Sequence, residues 1–262
     1  MRAQPRVEHV VVHVLRDDAF LGYRVALLSD FHFAPWQHSR FLSSAVDIVN
    51  SWHPDLVALG GDYGYSVRLV PPLSRACYRI VIPRVARELS RLTARDGACA
   101  VLGNHDLDGS VQIVESEFAA IGIRVLRNSA YNVVRGASAI HVAGVDDPTR
   151  GLAQLAATQQ ASQPNAAAML LIAHHPDALL GYEPPVSGCP VVIVAGHTHG
   201  GQITFPAIGA PITLSHVATR RFPAGFIPNE KATLYVSRGL GEQMPLRIGA
   251  SREITLLEFA PR

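Results

Sequence analysis

Five times along the chain a short apolar run stops at a glycine or a polar residue and hands over to side chains able to bind a metal. Arg24–Ser29 (RVALLS) leads to Asp30-Phe31-His32, Leu56–Leu59 to Gly60-Gly61-Asp62, and Ala98–Leu102 to Gly103-Asn104-His105-Asp106. Met169–Ala173 leads to His174-His175-Pro176-Asp177, and Val191–Ala195 to Gly196-His197-Thr198-His199. Continuous apolar runs of this length, bounded by turn residues, read as strands covered on both faces. A D-x-H or H-x-H pair that stays extended sends both side chains to one side. Glycines at 196, 200 and 201 leave room there for a ligand or a second backbone segment.

The intervals predict the remaining elements. Glu8–Leu15 alternates loosely and reads as an early strand, with a turn at Asp17–Gly22. Ser39–Trp52 carries Phe41, Leu42, Ala45, Val46, Ile48 and Val49 at helical spacing, and Pro54 ends it. Tyr63–Ile82 has aromatics, two prolines and no clear period, so it reads as a loop or small insertion. Pro83–Ala94 then reads as a helix with proline in its first turn. Val111–Ile121 is a second amphipathic stretch with Gly122 as its stop. Ile123–Leu126, Tyr131–Val134 and Ala139–Val142 look like shorter, more polar strands with turns at Asn128 and Gly136. The Ala/Gln-rich Leu152–Met169 reads as a helix and a loose connection, and Leu234–Ser237 and Ile254–Phe259 as closing strands. Strands alternating with helices, with reactive groups at strand carboxyl ends, predict a layered α/β fold whose site lies along one sheet edge.

Composition narrows the function classes. With 262 residues, 48% of them hydrophobic, and no linker, residues 1–262 read as one domain. The net charge of +2 comes without a run of like charges, which argues against a nucleic-acid stripe or a polybasic membrane patch. Three cysteines without CxxC spacing suggest neither a disulfide framework nor a thiolate metal site, and so a reducing compartment. No apolar run approaches the ~18 residues that span a bilayer. Near the N-terminus Glu8, His9, His13, Arg16, Asp17 and Asp18 interrupt any signal-like core. The expectation is a soluble, cytoplasmic protein without a nucleic-acid partner. Oligomeric state stays open.

The candidate donors are Asp30, His32, Asp62, Asn104, His174, His197 and His199. Seven oxygen and nitrogen donors without a cysteine are too many for one tetrahedral zinc, yet suit two adjacent divalent cations that share a carboxylate. A two-metal site stabilises both the attacking and the departing oxygen of an in-line displacement, and phosphoryl transfer needs this most. Singly, these residues have plainer readings. Asp62 after two glycines also suits a turn; His175 reads as a lining or surface residue, and Asp146-Asp147-Pro148 as a turn near the site.

In order, D-x-H, G-G-D, G-N-H-D, A-H-H-P and G-H-T-H-G-G-Q resemble the calcineurin-like metallophosphoesterases. The wording LGNHD, AGVDDP, AHHPD, GHTHGGQ and YVSRGLG is similar to their bacterial branch of YkuE-like phosphohydrolases and enzymes that cleave UDP-diacylglucosamine. The resemblance runs from about Arg24 to Phe259 and implies a four-layer α/β/β/α sandwich of two mixed sheets flanked by helices. It implies that Asp30, His32 and His199 hold one metal, that Asn104, His174 and His197 hold the other, and that Asp62 bridges them. Manganese, iron or zinc would serve. A metal-bound hydroxide would then attack a phosphodiester or pyrophosphate, His105 would stabilise the transition state or protonate the leaving group, and Asp106 would orient the His105 ring. Phosphomonoesterase or cyclic-nucleotide phosphodiesterase activity on the same site, and a non-catalytic scaffold binding a partner or a membrane, are the alternatives.

The substrate side is thinner. A small-molecule or lipid-linked phosphate is the expected partner. Ile203–Pro228 carries Phe205, Ile208, Leu214, Phe222, Phe226 and Ile227 among prolines and glycines. It reads either as a packed loop with a hairpin or as a lid or groove for an apolar or lipid-linked group, and peripheral membrane contact stays open. Arg220, Arg221, Arg238 and Arg247 are candidates for non-reacting phosphates, Arg238 first among them.

Overall fold

The computed structural model describes residues 4–66, 70–150, 153–159, 166–184, 188–242 and 246–262. In chain order the first elements are β1 (Arg6–Leu15), β2 (Arg24–Leu28), α1 (Arg40–Ser51), β3 (Leu56–Leu59), α2 (Pro71–Leu89), β4 (Ala98–Ala100), α3 (Asn104–Gly109), α4 (Val111–Ala120) and β5 (Arg124–Val125). They continue with β6 (Ser129–Arg135), β7 (Ser138–Val145), α5 (Leu155–Gln159), β8 (Ala166–Ala173), β9 (Val191–Ala195), β10 (Gly225–Ile227), β11 (Thr233–Val236) and β12 (Glu253–Pro261). The strands form two six-stranded sheets, ordered β1-β12-β2-β3-β4-β5 and β10-β11-β9-β8-β7-β6. Both are mixed. β2 to β5 run parallel with β12 reversed beside β2, while β7, β8, β9 and β11 run parallel between the reversed edges β6 and β10.

The apolar runs are continuous because their two faces enter different cores. In β2, Ala26 and Leu28 meet the helices, while Val25 and Leu27 meet the second sheet. β3 divides the same way, with Val57 and Leu59 on the helix side and Leu56 and Ala58 between the sheets. In β8, Leu170 and Ile172 face the first sheet, and Met169 and Leu171 face outward under the turn Pro176–Gly181 and Tyr182. Each fully buried Leu or Ile stabilises the fold by roughly 1.5–3 kcal/mol relative to exposure, and a strand that does so on both faces has no room for polar alternation. The order of layers is helix, sheet, sheet, helix, the last built mostly of short turns.

Three expectations need correction. The helix placed at Pro83–Ala94 begins at Pro71, and the segment read as a loop is its first half. Ser74, Cys77, Tyr78, Val81, Ile82, Val85, Ala86 and Leu89 form one buried stripe at helical spacing, which small and aromatic residues obscure in the sequence. Pro71 and Pro72 supply the N-terminal turn, and Pro83 sits on the exposed face, where its missing N–H and its ring are tolerated. β7 is not polar but buried at all eight residues; its His141 lies between the Asn132 amide and the Thr158 carbonyl. The alanines at 166–168 belong to β8, while most of the loose connection expected within Leu152–Met169 lies outside the described residues. β10 and the short helix α3 carry no periodic signal long enough to read. The three cysteines are buried and form no disulfide.

Proline inside a helix costs about 3 kcal/mol, offset in part because it also restricts the unfolded chain. Pro83→Ala is therefore expected to stabilise the protein by about 1–2 kcal/mol. Thermal unfolding should show a rise of a few degrees; a fall would mean that Pro83 contributes more to the folded state than its missing hydrogen bond costs.

Candidate metal centre

Every predicted donor lies just past the carboxyl end of a strand, and the two sheets bring those ends to one seam. Asp30 and His32 follow β2, Asp62 follows β3, and Asn104 and His105 open α3 after β4. His174 follows β8, and His197 and His199 follow β9. The backbone there is not extended, as the D-x-H and H-x-H reading supposed. Asp30 (φ 54°), His32 (φ 41°), Asp62 (φ 58°), His197 (φ 68°) and His199 (φ 51°) are all left-handed. Such residues cost of order 1–3 kcal/mol each and persist only where the surroundings over-determine them. Here they do: Asp30 N–H donates to the Gly61 carbonyl (2.9 Å), His32 N–H to the Asp62 carbonyl (2.9 Å), and His197 N–H to Asp30 Oδ1 (3.0 Å).

The side chains form two groups that meet at Asp62. In one, His32 Nε2 and His199 Nε2 are 3.0 Å apart and Asp30 Oδ1 is 3.7 Å from His199 Nε2. In the other, Asn104 Oδ1 is 3.0 Å from His197 Nδ1 and 3.2 Å from His174 Nε2. Asp62 Oδ2 is 3.6 Å from His32 Nε2 and 3.3 Å from His174 Nε2, so this one carboxylate oxygen touches both groups. Asp30–His32–His199 and Asp30–Asp62–His174 each present one ligand atom per residue within 4.8 Å of one another.

The hydrogen bonding shows that the cluster suits cations. His174 donates from Nδ1 to the Gly60 carbonyl (2.8 Å), so a neutral ring would aim an Nε2 lone pair at Asn104 Oδ1 and Asp62 Oδ2, both acceptors. Acceptors facing acceptors are repulsive in a buried site unless a proton or a cation lies between them. The titration of the ion-free cluster says the same. Burial disfavours a charged His174, but the carboxylates of Asp62 and Asp30 outweigh it and hold His174 well above the usual imidazole range. Burial likewise opposes charge on Asp62, yet His174, His105 and His32 keep it well below the usual carboxylate range. Burial pushes Asp30 up to about 6 and His32 down to about 3, and it drives His197 and His199 far below 6.5. The donors fit divalent cations, and Asp30, His32, Asp62, Asn104, His174, His197 and His199 are the residues that could hold them.

His105 faces the same cleft, its Nε2 4.0 Å from Asp62 Oδ2 and its ring edge-on to His32. Its Nδ1 is hydrogen-bonded to the hydroxyl of Ser66, not to Asp106. Asp106 is occupied elsewhere, accepting from the backbone N–H groups of Asp62, Tyr63 and Gly103 and from the Tyr78 hydroxyl. Arg238 is committed to Glu253 and Glu8, and Arg247 lies instead against the site, its Nη2 3.0 Å from His199 Nδ1. His175 is a buried lining residue stacked on His197 with ring centroids 4.1 Å apart. Thr149 and Arg150 also line the cleft, following the Asp146-Asp147-Pro148 turn. Sequence reasoning missed Ser66, Thr149 and Arg150 because none belongs to a motif and each is delivered by a loop.

The profile of the calcineurin-like phosphoesterases matches residues 23–201, the span that holds every donor above. The chain belongs to this family. It is 30% identical over 253 residues to the metallophosphoesterase YkuE of Bacillus subtilis (strain 168), covering 95% of this chain and 83% of that one. It is 27% identical over 242 residues to the phosphodiesterase YaeI of Escherichia coli (strain K12), covering 90% and 82%. Among solved structures it resembles Haemophilus influenzae NAD nucleotidase in fold, with a TM-score of 0.53, 12% identity and 84% of this chain matched to 46% of the other. A calcineurin-like phosphoesterase of this kind is a metal-dependent hydrolase of phosphoesters. No helix among the described residues is long and apolar enough to cross a membrane.

The close packing of the seam can be tested without touching a donor. A Cβ on Gly103 would fall 2.1 Å from Asp62 Oδ1, so Gly103→Ala must displace that carboxylate. Calorimetric titration with Mn²⁺ is expected to show affinity weakened by roughly 10–100-fold, as for lost supporting contacts around a metal site. Unchanged affinity in a folded variant would mean that Asp62 is not held by this contact.

Proposed function

We propose that this family member is a binuclear phosphoesterase that cleaves a phosphodiester or pyrophosphate bond, with Asp30, His32 and His199 holding one divalent cation, Asn104, His174 and His197 the other, and Asp62 shared. The observation that carries this reading is the position of Asp62 Oδ2, within 3.6 Å of an imidazole from each group. A donor set of oxygens and nitrogens without thiolate suits manganese, iron or zinc. Two such cations would supply a nucleophile at neutral pH and neutralise charge building on the phosphoryl oxygens.

The rest of the reaction falls to the chain. His105, buried at the cleft floor with Ser66 fixing its ring, is placed to pass a proton to the departing oxygen. Arg150 lines the cleft with one guanidinium nitrogen paired to Asp108 and its remaining N–H groups available to a non-reacting phosphoryl oxygen, whereas Thr149 gives both its donors to Asp147. Arg247 keeps a positive charge behind His199, which favours neutral imidazole and so a ligand over a proton carrier. Three buried cysteines that form no disulfide fit a reducing compartment, and we assign the cytoplasm on that ground.

Metal-stripped protein refilled with Mn²⁺ should hydrolyse bis(p-nitrophenyl) phosphate faster than p-nitrophenyl phosphate. Asp62→Ala and Asn104→Ala should lose both metal and turnover. His105→Ala should keep its metals and lose about 10²–10⁴-fold in kcat. Full activity in either ligand variant would sink the two-metal reading; metal loss in His105→Ala would make that residue a ligand. A preference for the monoester would replace the bond assignment while leaving the site.

A further inference from the structure

The metal cleft, about 300 Å³, adjoins a second cavity of about 540 Å³. The second cavity is lined mainly by Tyr65, Ile203, Pro211, Ile212 and Leu214, and it shares His199 and Leu214 with the cleft. The two therefore lie side by side, one lined mostly by polar and the other mostly by apolar side chains. Leu214 stands at the join.

Leu214 does not sit there by default. Its φ is 55°, a conformation that a bulky side chain avoids. His175 and Asp177 hold it. Asp177 N–H donates to His175 Nδ1 (3.1 Å), which leaves His175 Nε2–H to donate to the Leu214 carbonyl (3.1 Å). The Asp177 carboxylate accepts from the Ser215 hydroxyl (2.6 Å), His216 N–H (2.8 Å) and Val217 N–H (3.2 Å). The residues that follow the donor His174 thus clamp positions 214–217 in place.

The cavity wall is also exposed where a packed loop would be covered. Ile212 is 66% exposed and Leu214 61%. Trp36, 70% exposed, stands edge-on to the lining residue Tyr65 with ring centroids 5.6 Å apart. Apolar side chains gathered at one opening mark a binding surface. The chain has no carboxylate between Glu183 and Glu230, while Arg220 and Arg221 fall in that interval. The Arg220 carbonyl accepts from Ala210 N–H (3.0 Å), which ties those arginines to the wall that continues into Pro211 and Ile212. An apolar wall whose lining side chains carry no negative charge, adjoining a cation-holding cleft, complements a ligand that is anionic at one end and hydrocarbon at the other.

We propose that this second cavity receives the apolar ester group of a phosphoester whose phosphorus lies in the metal cleft, with Leu214 as the selecting wall and His175 and Asp177 as positioning residues that set it. This rests on the phosphoesterase reading of the cleft. Ribose or another polyhydroxyl group would find few hydrogen-bond partners on this wall and would leave its hydroxyls unpaired.

Binding of methyl-, butyl- and octylphosphonate to Mn²⁺-loaded protein, measured by calorimetry, tests it without turnover. Each methylene fully removed from water strengthens binding about fourfold. With one side of the cavity open, the octyl compound is expected to bind at least tenfold tighter than the methyl compound. Ile212→Asn, at an exposed position, should bring the octyl-to-methyl ratio close to one. Asp177→Ala should lower the same ratio, a change that a general loss of stability would not produce. A ratio near one in the wild type, with methylphosphonate bound, overturns the apolar subsite and leaves the phosphoesterase reading intact. Failure of every phosphonate to bind the metal-loaded protein overturns that reading and this inference with it.

Discussion

The carboxylate of Asp106 is the contact on which the site depends. β3 and β4 stop pairing at Leu59 and Ala100, and the chain beyond them turns sharply while still buried. Backbone N–H groups in such a place need acceptors. Asp106 provides them, taking hydrogen bonds from Asp62 N–H (2.8 Å), Tyr63 N–H (3.0 Å), Gly103 N–H (2.9 Å) and the Tyr78 hydroxyl (2.9 Å). Burial and the nearby Asp62 carboxylate push Asp106 up to about 7, and the hydrogen bonds from Gly103, Tyr63 and Tyr78 are what favour its charged form against them. With the two turns joined, Gly103 packs directly on Asp62, and His105 N–H donates to Asp62 Oδ1 at 2.8 Å. That leaves Oδ2 as the free oxygen, aimed at His32 and His174. The Asp62 carboxylate is therefore oriented by main chain from its own sheet before any cation is considered.

The second constraint is the seam between the sheets. Asp30, His32, Asp62 and Asn104 come from the first sheet, and His174, His197 and His199 from the second. The core between the sheets fixes their separation, and a few polar contacts fix their register. His174 Nδ1 donates across the seam to the Gly60 carbonyl, and His197 N–H donates across it to Asp30. A Cβ on Gly196 would fall 2.3 Å from Asp30 Oδ2, so the sheets meet here at the closest approach backbone allows. Donor geometry and sheet packing are consequently one property, and a rigid site needs no further scaffold.

This division explains what could be read from sequence. The runs ending at Asp30, Asp62, Asn104, His174 and His197 were legible because a strand buried on both faces leaves a continuous apolar signature and stops abruptly. The family motifs carried the layer order as well. The left-handed turns were not legible, since Asp and His in a strand-end motif look alike whether the next residue continues extended or folds back. Asp106 looked like a partner for its neighbour His105, whereas its contacts run 43 and 44 residues back to Tyr63 and Asp62. Arg238 follows a buried strand as a site residue would, but Glu253 of the adjacent chain segment neutralises it, and only register could say so. Helix α2 was misread because Ser74, Cys77 and Tyr78 carry its buried face without looking apolar.

Reactivity and selectivity are coupled here by chain connectivity. His174 serves the cluster, and the very next residues, His175 and Asp177, hold the wall at Leu214 to Val217. His175 also stacks on His197, so one ring touches a donor on one side and fixes the wall on the other. A displacement of the β8 terminus would move both together. The wall can vary in side chain, because Ile212 and Leu214 are largely exposed, but its backbone is tied through hydrogen bonds to Asp177, three residues beyond His174. Change in what the site accepts is thereby directed to the exposed side chains of the 203–214 segment, while the seam that holds the donors stays as it is.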